Sequence, residues 1–136
     1  VFYDHIVRKL GSVTVNVHSD YPVSVGSTWE NLEAAAAGEH EEFTLLYKTA
    51  EEVAREEGYE DIAESFEEIA EVEEQHYERY KALAAVVKDG KFFTREQKVY
   101  WKCRNCGYVH EGKEAPKVCP ACKHAQKYFE VTCFEH

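Results

Sequence analysis

The sequence predicts a mainly α protein ending in a small β metal module: a long antiparallel helix hairpin followed by a four-cysteine fold. Three observations predict it. From residue 27 to residue 88 apolar side chains recur every three or four positions, the period of a helix face. Gly58 divides that stretch into halves of around 30 residues, each about 45 Å long at 1.5 Å per residue, a length typical of bundles. After Gly90 the texture changes to turns, aromatics and two C-x-x-C pairs with no helical period.

At 136 residues the chain suffices for one domain of ordinary size plus a small module. The expected organisation is an N-terminal crossing segment over 1–26, a helix pair over 27–90, and a linker with the cysteine module over 91–136. The formal net charge of −10 argues against a nucleic-acid partner, since phosphate neutralisation needs clustered Lys and Arg. The acid is uneven. Residues 27–90 hold 19 Asp and Glu against 5 Lys and Arg, whereas residues 97–136 hold 4 against 7. Such an acidic body and basic tail attract one another within or between subunits. No apolar run reaches a membrane span, and "VFYDHIVRKL" is too polar for a signal peptide. The absence of Met leaves two readings, a removed initiator or missing upstream sequence. Paired cysteines in a metal-like pattern suit a reducing compartment, so the cytoplasm is expected.

In order along the chain, "SVTVNVHSDYPVSV" alternates Val with polar residues and reads as a short strand or an extended crossing segment, stopped by Pro22 and Gly26. "STWE" has the form of a capping box, with Ser27 and Glu30 exchanging side-chain and backbone bonds. Nothing then breaks a helix before Gly58, which suits a left-handed C-cap. A second helix runs from about Tyr59 to Lys88 and stops at "KDG"; "KFFTREQKVYW" is a linker or first strand.

The second helix carries a seam of Ile62, Phe66, Ile69, Glu73, His76, Tyr80, Leu83 and Val87, and the first one of Leu32, Ala35, Glu39, Glu42, Leu46, Thr49 and Val53. Glu39, Glu42, Glu73 and His76 therefore stand where apolar residues belong. An antiparallel hairpin folded at Glu57–Gly58 sets Glu39 against His76 and Glu42 against Glu73. Burying carboxylates unpaired costs several kcal/mol each, and no Lys or Arg occupies those layers. Bound cations are the solution: Fe and Mn take carboxylate with imidazole, and E-x-x-H puts both on one helix face. One E-x-x-H in so acidic a chain is unremarkable; its coincidence with E-x-x-E at the same depth is not. Glu41, Glu71, Glu74 and Glu78 lie off the seam and read as a solvated face. A di-iron carboxylate bundle needs a Glu from each of two helices and E-x-x-H from each of two more, and this chain supplies one of each. A second copy related by a two-fold axis, or a missing helix pair, would complete it. His5 reads as a surface histidine.

Cys103, Cys106, Cys119 and Cys122 form two knuckles, a closed tetrahedral site for Fe or Zn. Zinc would mean a structural ribbon and iron a one-electron carrier. Trp101, Tyr108, Tyr128, Phe129 and Phe134 suffice for a small core around it. Cys133 has no partner in the pattern and reads as a free thiol.

Together "AAAAGEHEEF", "EEVAREEGYEDIAESFEEIAEVEEQHYER" and "YWKCRNCGYVHEGKEAPKVCPAC" resemble rubrerythrin from about residue 28 to 130, coupling the family's GExxE helix, ExxH helix and C-terminal rubredoxin-like module in order. The resemblance implies a ferritin-like four-helix bundle, completed by another chain or a missing segment, then a rubredoxin-like fold. It places Glu39, Glu42, Glu73 and His76 on di-iron ligand positions and the four cysteines on a mononuclear iron site. Tyr47 falls on a tyrosine that orients a ligand carboxylate. It also implies a peroxide reductase of oxidative-stress defence: an external donor such as a reductase or rubredoxin reduces the thiolate iron, which feeds a di-iron centre that turns hydrogen peroxide to water. A homodimer with the rubredoxin-like module of one subunit near the di-iron site of the other is part of the family pattern. The family's preceding helix pair, with its own Glu and E-x-x-H, does not occur in residues 1–26. Other readings are an electron carrier holding only the thiolate-bound iron, a ferritin-like ferroxidase, and a zinc-ribbon interaction module; zinc fits either site.

Overall fold

The computed structural model of the protein describes residues 1–20, 22–23 and 25–132. It divides into two units, Val1–Ala85 and Val86–His136.

The first unit contains α1 (Phe2–Leu10), α2 (Thr28–Glu41), a π-helical turn (Glu42–Leu46), α3 (Tyr47–Glu56) and most of α4 (Glu60–Lys88). The capping box is formed: Ser27 Oγ accepts from Glu30 N–H at 3.3 Å and Glu30 Oε2 accepts from Ser27 N–H at 2.8 Å, two donors that a helix start would otherwise leave unpaired. Gly58 closes the hairpin at φ +80°, a region that costs an L side chain energy and glycine almost none. Lys81 Nζ reaches Glu33 Oε2 at 3.1 Å and the Tyr47 and Phe66 rings stack 6.0 Å apart, the level pairing expected of a hairpin folded there. Near the turn Arg55 binds Glu51, Glu60 and Glu67 at 2.8–3.0 Å.

The first strand of the hairpin departs from a plain α-helix. The Tyr47 N–H bonds the Glu42 carbonyl, five residues back, and the widened turn admits one extra residue. The expected seam positions Leu46, Thr49 and Val53 are consequently exposed, and their neighbours Tyr47, Ala50 and Ala54 turn inward, Ala54 to full burial. The seam of α4 keeps its expected phase throughout, with Ala63 and Ala84 buried beside it; of its members only His76 is exposed.

Residues 1–26 begin with a helix rather than a crossing segment. α1 carries Asp4 in its first turn and Arg8 and Lys9 in its last, charges that complement the helix dipole. Phe2 stacks on Phe66 at 4.8 Å and lies 6.0 Å from Tyr47. His5, read from sequence as a surface residue, is buried. Its Nδ1 accepts from Arg8 at 2.9 Å and its Nε2 donates to Ser65 Oγ at 2.8 Å, which donates onward to the Asp61 carbonyl at 3.0 Å. The partner sits 60 positions away, beyond the reach of a local reading. No strand forms among the described residues of 12–26.

The second unit is a three-stranded antiparallel sheet in the order β2–β1–β3, from β1 (Thr94–Cys103), β2 (Val109–Glu114) and β3 (Phe129–Thr132). Its core is Trp101, Cys103, Ala115, Cys119 and Phe129, with Tyr108, Cys122 and Tyr128 packed on it. The buried indole is satisfied: Trp101 Nε1 donates to the Gly112 carbonyl at 3.0 Å. Phe134 and Cys133 lie outside the described residues. Among the described residues no helix is long and apolar enough to cross a membrane.

Candidate metal centres

The four cysteines are held by two matching knuckles. In the first, the Gly107 N–H bonds the Cys103 carbonyl and the Cys103 N–H the Tyr108 carbonyl, both at 2.8 Å. In the second, Lys123 N–H bonds Cys119 carbonyl at 2.9 Å and Cys119 N–H bonds His124 carbonyl at 2.8 Å. Each knuckle turns through a positive φ just after its second cysteine, at Gly107 (80°) and Lys123 (63°). Sequence spacing predicts the pairs; the left-handed lysine is a cost the motif carries without a glycine signal.

Cys103 Sγ lies 3.7 Å from Cys122 Sγ, and Cys106 Sγ lies 3.7 Å from Cys119 Sγ. A tetrahedron with metal–sulfur bonds of about 2.3 Å has edges of about 3.8 Å, whereas a disulfide needs about 2.05 Å. The sulfurs therefore fit a metal and not a bridge. The thiols share charge unevenly. Cys122 is drawn down to about 6, first by the His124 backbone N–H and then by hydrogen bonds from its neighbours. At Cys106 the Tyr108 N–H pulls the same way, but partial desolvation and the other three sulfurs outweigh it and push the thiol, exposed as it is, up to about 12. Both N–H groups point at sulfur, the contact that favours bound thiolate and tunes a redox ion.

The second group lies between the long helices. Ligand atoms of Glu39, Glu73 and His76 all fall within 4.8 Å of one another. His76 Nδ1 is 2.5 Å from Glu73 Oε2 and 3.9 Å from Glu39 Oε1. The two carboxylates are only 18% and 14% exposed, whereas His76 is 47% exposed, so the acids are sheltered and the imidazole is open on one side. Burial above all, then the charge and hydrogen bond of Glu73 and the charge of Glu42, hold the Glu39 carboxyl above the usual carboxylate range; His76 alone acts the other way. Among the groups acting on Glu39 there is no Lys or Arg; converging acids beside one imidazole suit a hard or intermediate cation such as iron. Glu41, Glu71, Glu74 and Glu78 are exposed, as their positions off the seam predict.

Glu42 is not in that group of three. Its carboxylate lies toward the Tyr47 hydroxyl, near enough for the two to interact. Tyr47 is pushed up to about 12, first by burial, then by this interaction and by the charges of Glu42, Glu73 and Glu39, so it stays a proton donor at any working pH. His40, Phe43 and Tyr77 form an aromatic cluster beside the carboxylates, with centroids 5.3–5.8 Å apart. Sequence reading passed it over, although the seam phase of α4 brings Tyr77 as near the partner helix as His76.

Residues 9–84 match the family described as rubrerythrin, and residues 101–130 match its rubredoxin-like domain. The chain belongs to the rubrerythrin family. It is 53% identical over 117 residues to a rubrerythrin of Porphyromonas gingivalis, covering 85% of this chain and 58% of that one. To Rubrerythrin-1 of Clostridium acetobutylicum it is 44% identical over 131 residues, 96% of this chain and 67% of the other. A rubrerythrin of Nitratidesulfovibrio vulgaris is 51% identical over 107 residues, 79% and 56% of the two lengths. The chain thus spans between 56 and 67% of these relatives. Among solved structures, a fully reduced, all-ferrous nigerythrin matches with a TM-score of 0.53 and 26% identity, over 96% of this chain and 60% of that one. A ferritin-like helical part followed by a small four-cysteine β module is the rubrerythrin architecture, and rubrerythrins and nigerythrin are iron proteins. Both of this chain's donor sets fit that metal.

Proposed function

We propose that this rubrerythrin-family chain is an oxidoreductase that reduces hydrogen peroxide to water, with Glu39, Glu42, Glu73 and His76 at a di-iron site and Cys103, Cys106, Cys119 and Cys122 at a mononuclear one. The observation that carries it is the convergence of Glu39, Glu73 and His76 in a sheltered layer where no Lys or Arg is among the groups acting on Glu39. When bound, iron supplies the redox chemistry: one peroxide, two electrons and two protons give two waters.

The residues do the rest. Glu39 and Glu73 would hold the metal and His76 would bind it as well. Tyr47 keeps its proton and steadies the Glu42 carboxylate. The matched knuckles fix four sulfurs at tetrahedral spacing, a rigid mount with little reorganisation between oxidation states. Since the set expected of a di-iron bundle is twice what this helix pair supplies, a second helix pair completes it, from another copy in a homodimer or from a further segment of the same protein. An external reductase or rubredoxin delivers the electrons, and the cytoplasm is the compartment.

A second reading is an electron carrier with thiolate-bound iron alone. It is favoured by one fact: the four-sulfur set is complete within the chain, whereas the carboxylate group has three members. Metal analysis and peroxide decide between them. Two or three irons per chain, with ferrous iron oxidised by anaerobic peroxide, support the first; one iron per chain supports the second. Ferrous iron indifferent to peroxide but oxidised by oxygen would mean a ferroxidase.

A further inference from the structure

The hairpin can be packed in two phases, and the structure uses the less obvious one. In a continuous α-helix, five residues advance about 500°, which leaves Tyr47 about 140° from Glu42. One extra residue in a π turn removes about 100° of that offset and leaves roughly 40°. That turn, closed by the Tyr47 N–H on the Glu42 carbonyl, puts the Tyr47 side chain on the face of Glu42. The alternative phase would put Leu46, Thr49 and Val53 inward, an equally apolar row at the same spacing.

Inside the turn the Thr44 hydroxyl donates to the His40 carbonyl, four residues back. Where a ladder changes from four-residue to five-residue spacing, one backbone partner is passed over, and Glu42 N–H is shared between the carbonyls of Gly38 and Glu39 at the same point. A hydroxyl bonded to the carbonyl four back also bends a helix outward. Thr44 is exposed.

We infer that Thr44 is a positioning residue: its hydroxyl on the His40 carbonyl holds the Glu42–Leu46 turn in its wide form and so keeps the Tyr47 side chain on the face of Glu42, beside the carboxylate–imidazole group. The consequence for metal rests on the reading of that group as an iron site; the consequence for the turn does not.

The test uses the full chain with Thr44→Val, which keeps shape and loses the donor, and Thr44→Ser, which keeps it. In the metal-free protein, amide hydrogen exchange at Tyr47 should be about fivefold faster in the valine variant, the loss of one net hydrogen bond, and near normal in the serine variant. In protein loaded with iron, the Mössbauer signal of the carboxylate-held iron should shift with Thr44→Val in the same sense as with Tyr47→Phe. The double variant should add nothing, and the four-thiolate signal should stay put. Unchanged exchange at Tyr47 in Thr44→Val overturns the inference, as do additive shifts from the two substitutions. If exchange responds but no carboxylate-held iron loads, the turn assignment stands and the di-iron reading falls.

Discussion

The imidazole of His76 lies with Nδ1 2.5 Å from Glu73 Oε2, one helical turn away on α4. Two groups that would both bind a cation are thus bonded to each other through a shared proton. A metal arriving there must displace that proton, so its affinity falls with acid. Substituting His76→Ala or Glu73→Ala should lower the iron content to that of the thiolate site, about one per chain, while the visible spectrum of the four-thiolate iron stays unchanged. Iron assay and absorption check it; full iron in both variants would remove these residues from the site.

Acid should act in the opposite direction on the metal-free fold. The Glu39 carboxyl is held above its ordinary value in the folded chain, mainly by burial, so between the unfolded and folded values the native state binds more protons. That makes stability fall as pH rises through this window and level off below the unfolded value. Denaturant midpoints of the metal-free protein, read against Glu39→Gln, should show this slope in the wild-type chain and lose it in the variant. Bound metal should erase it too.

The Tyr47 ring lies 6.0 Å from both Phe2 and Phe66, with its hydroxyl toward Glu42. Tyr47→Phe keeps the stack and drops the donor, a cost of about 1 kcal/mol. Tyr47→Ala loses the stack as well and should be clearly worse. Chemical unfolding of both variants separates the two contributions.

In the sulfur module, two metal-binding sulfurs are part of a core of five residues. So small a core cannot stand without its ion. Stripping metal with a strong chelator, or Cys119→Ser, should expose Trp101, now 1% exposed, and red-shift its fluorescence. An unshifted Trp101 in the stripped protein would show that the fold precedes the metal.

What the sequence declared was local. The capping box at Ser27 and Glu30, the left-handed Gly58, and the two knuckles each depend on side chains within a few positions, and all are found in place. Glu39, Glu73 and His76 were legible because a charged residue in an apolar seam breaks a pattern. The π turn was not, because one inserted residue changes phase without changing composition: Leu46, Thr49, Val53 and Tyr47, Ala50, Ala54 are both rows at steps of three and four. Only packing against α4 chooses between them. His5 failed for a related reason, since the hydroxyl that receives it belongs to Ser65 on another helix.

The sulfur tetrahedron is lopsided: Cys103 and Cys119 are sealed in, Cys122 is half-covered and Cys106 meets water. An ion held there has a wet side and a dry side. Tunnelling across Trp101 and Phe129 traverses the packed interior, whereas over Cys106 it needs little more than one sulfur atom. If the module carries electrons as proposed, their preferred doorway is set by which cysteine the fold leaves uncovered.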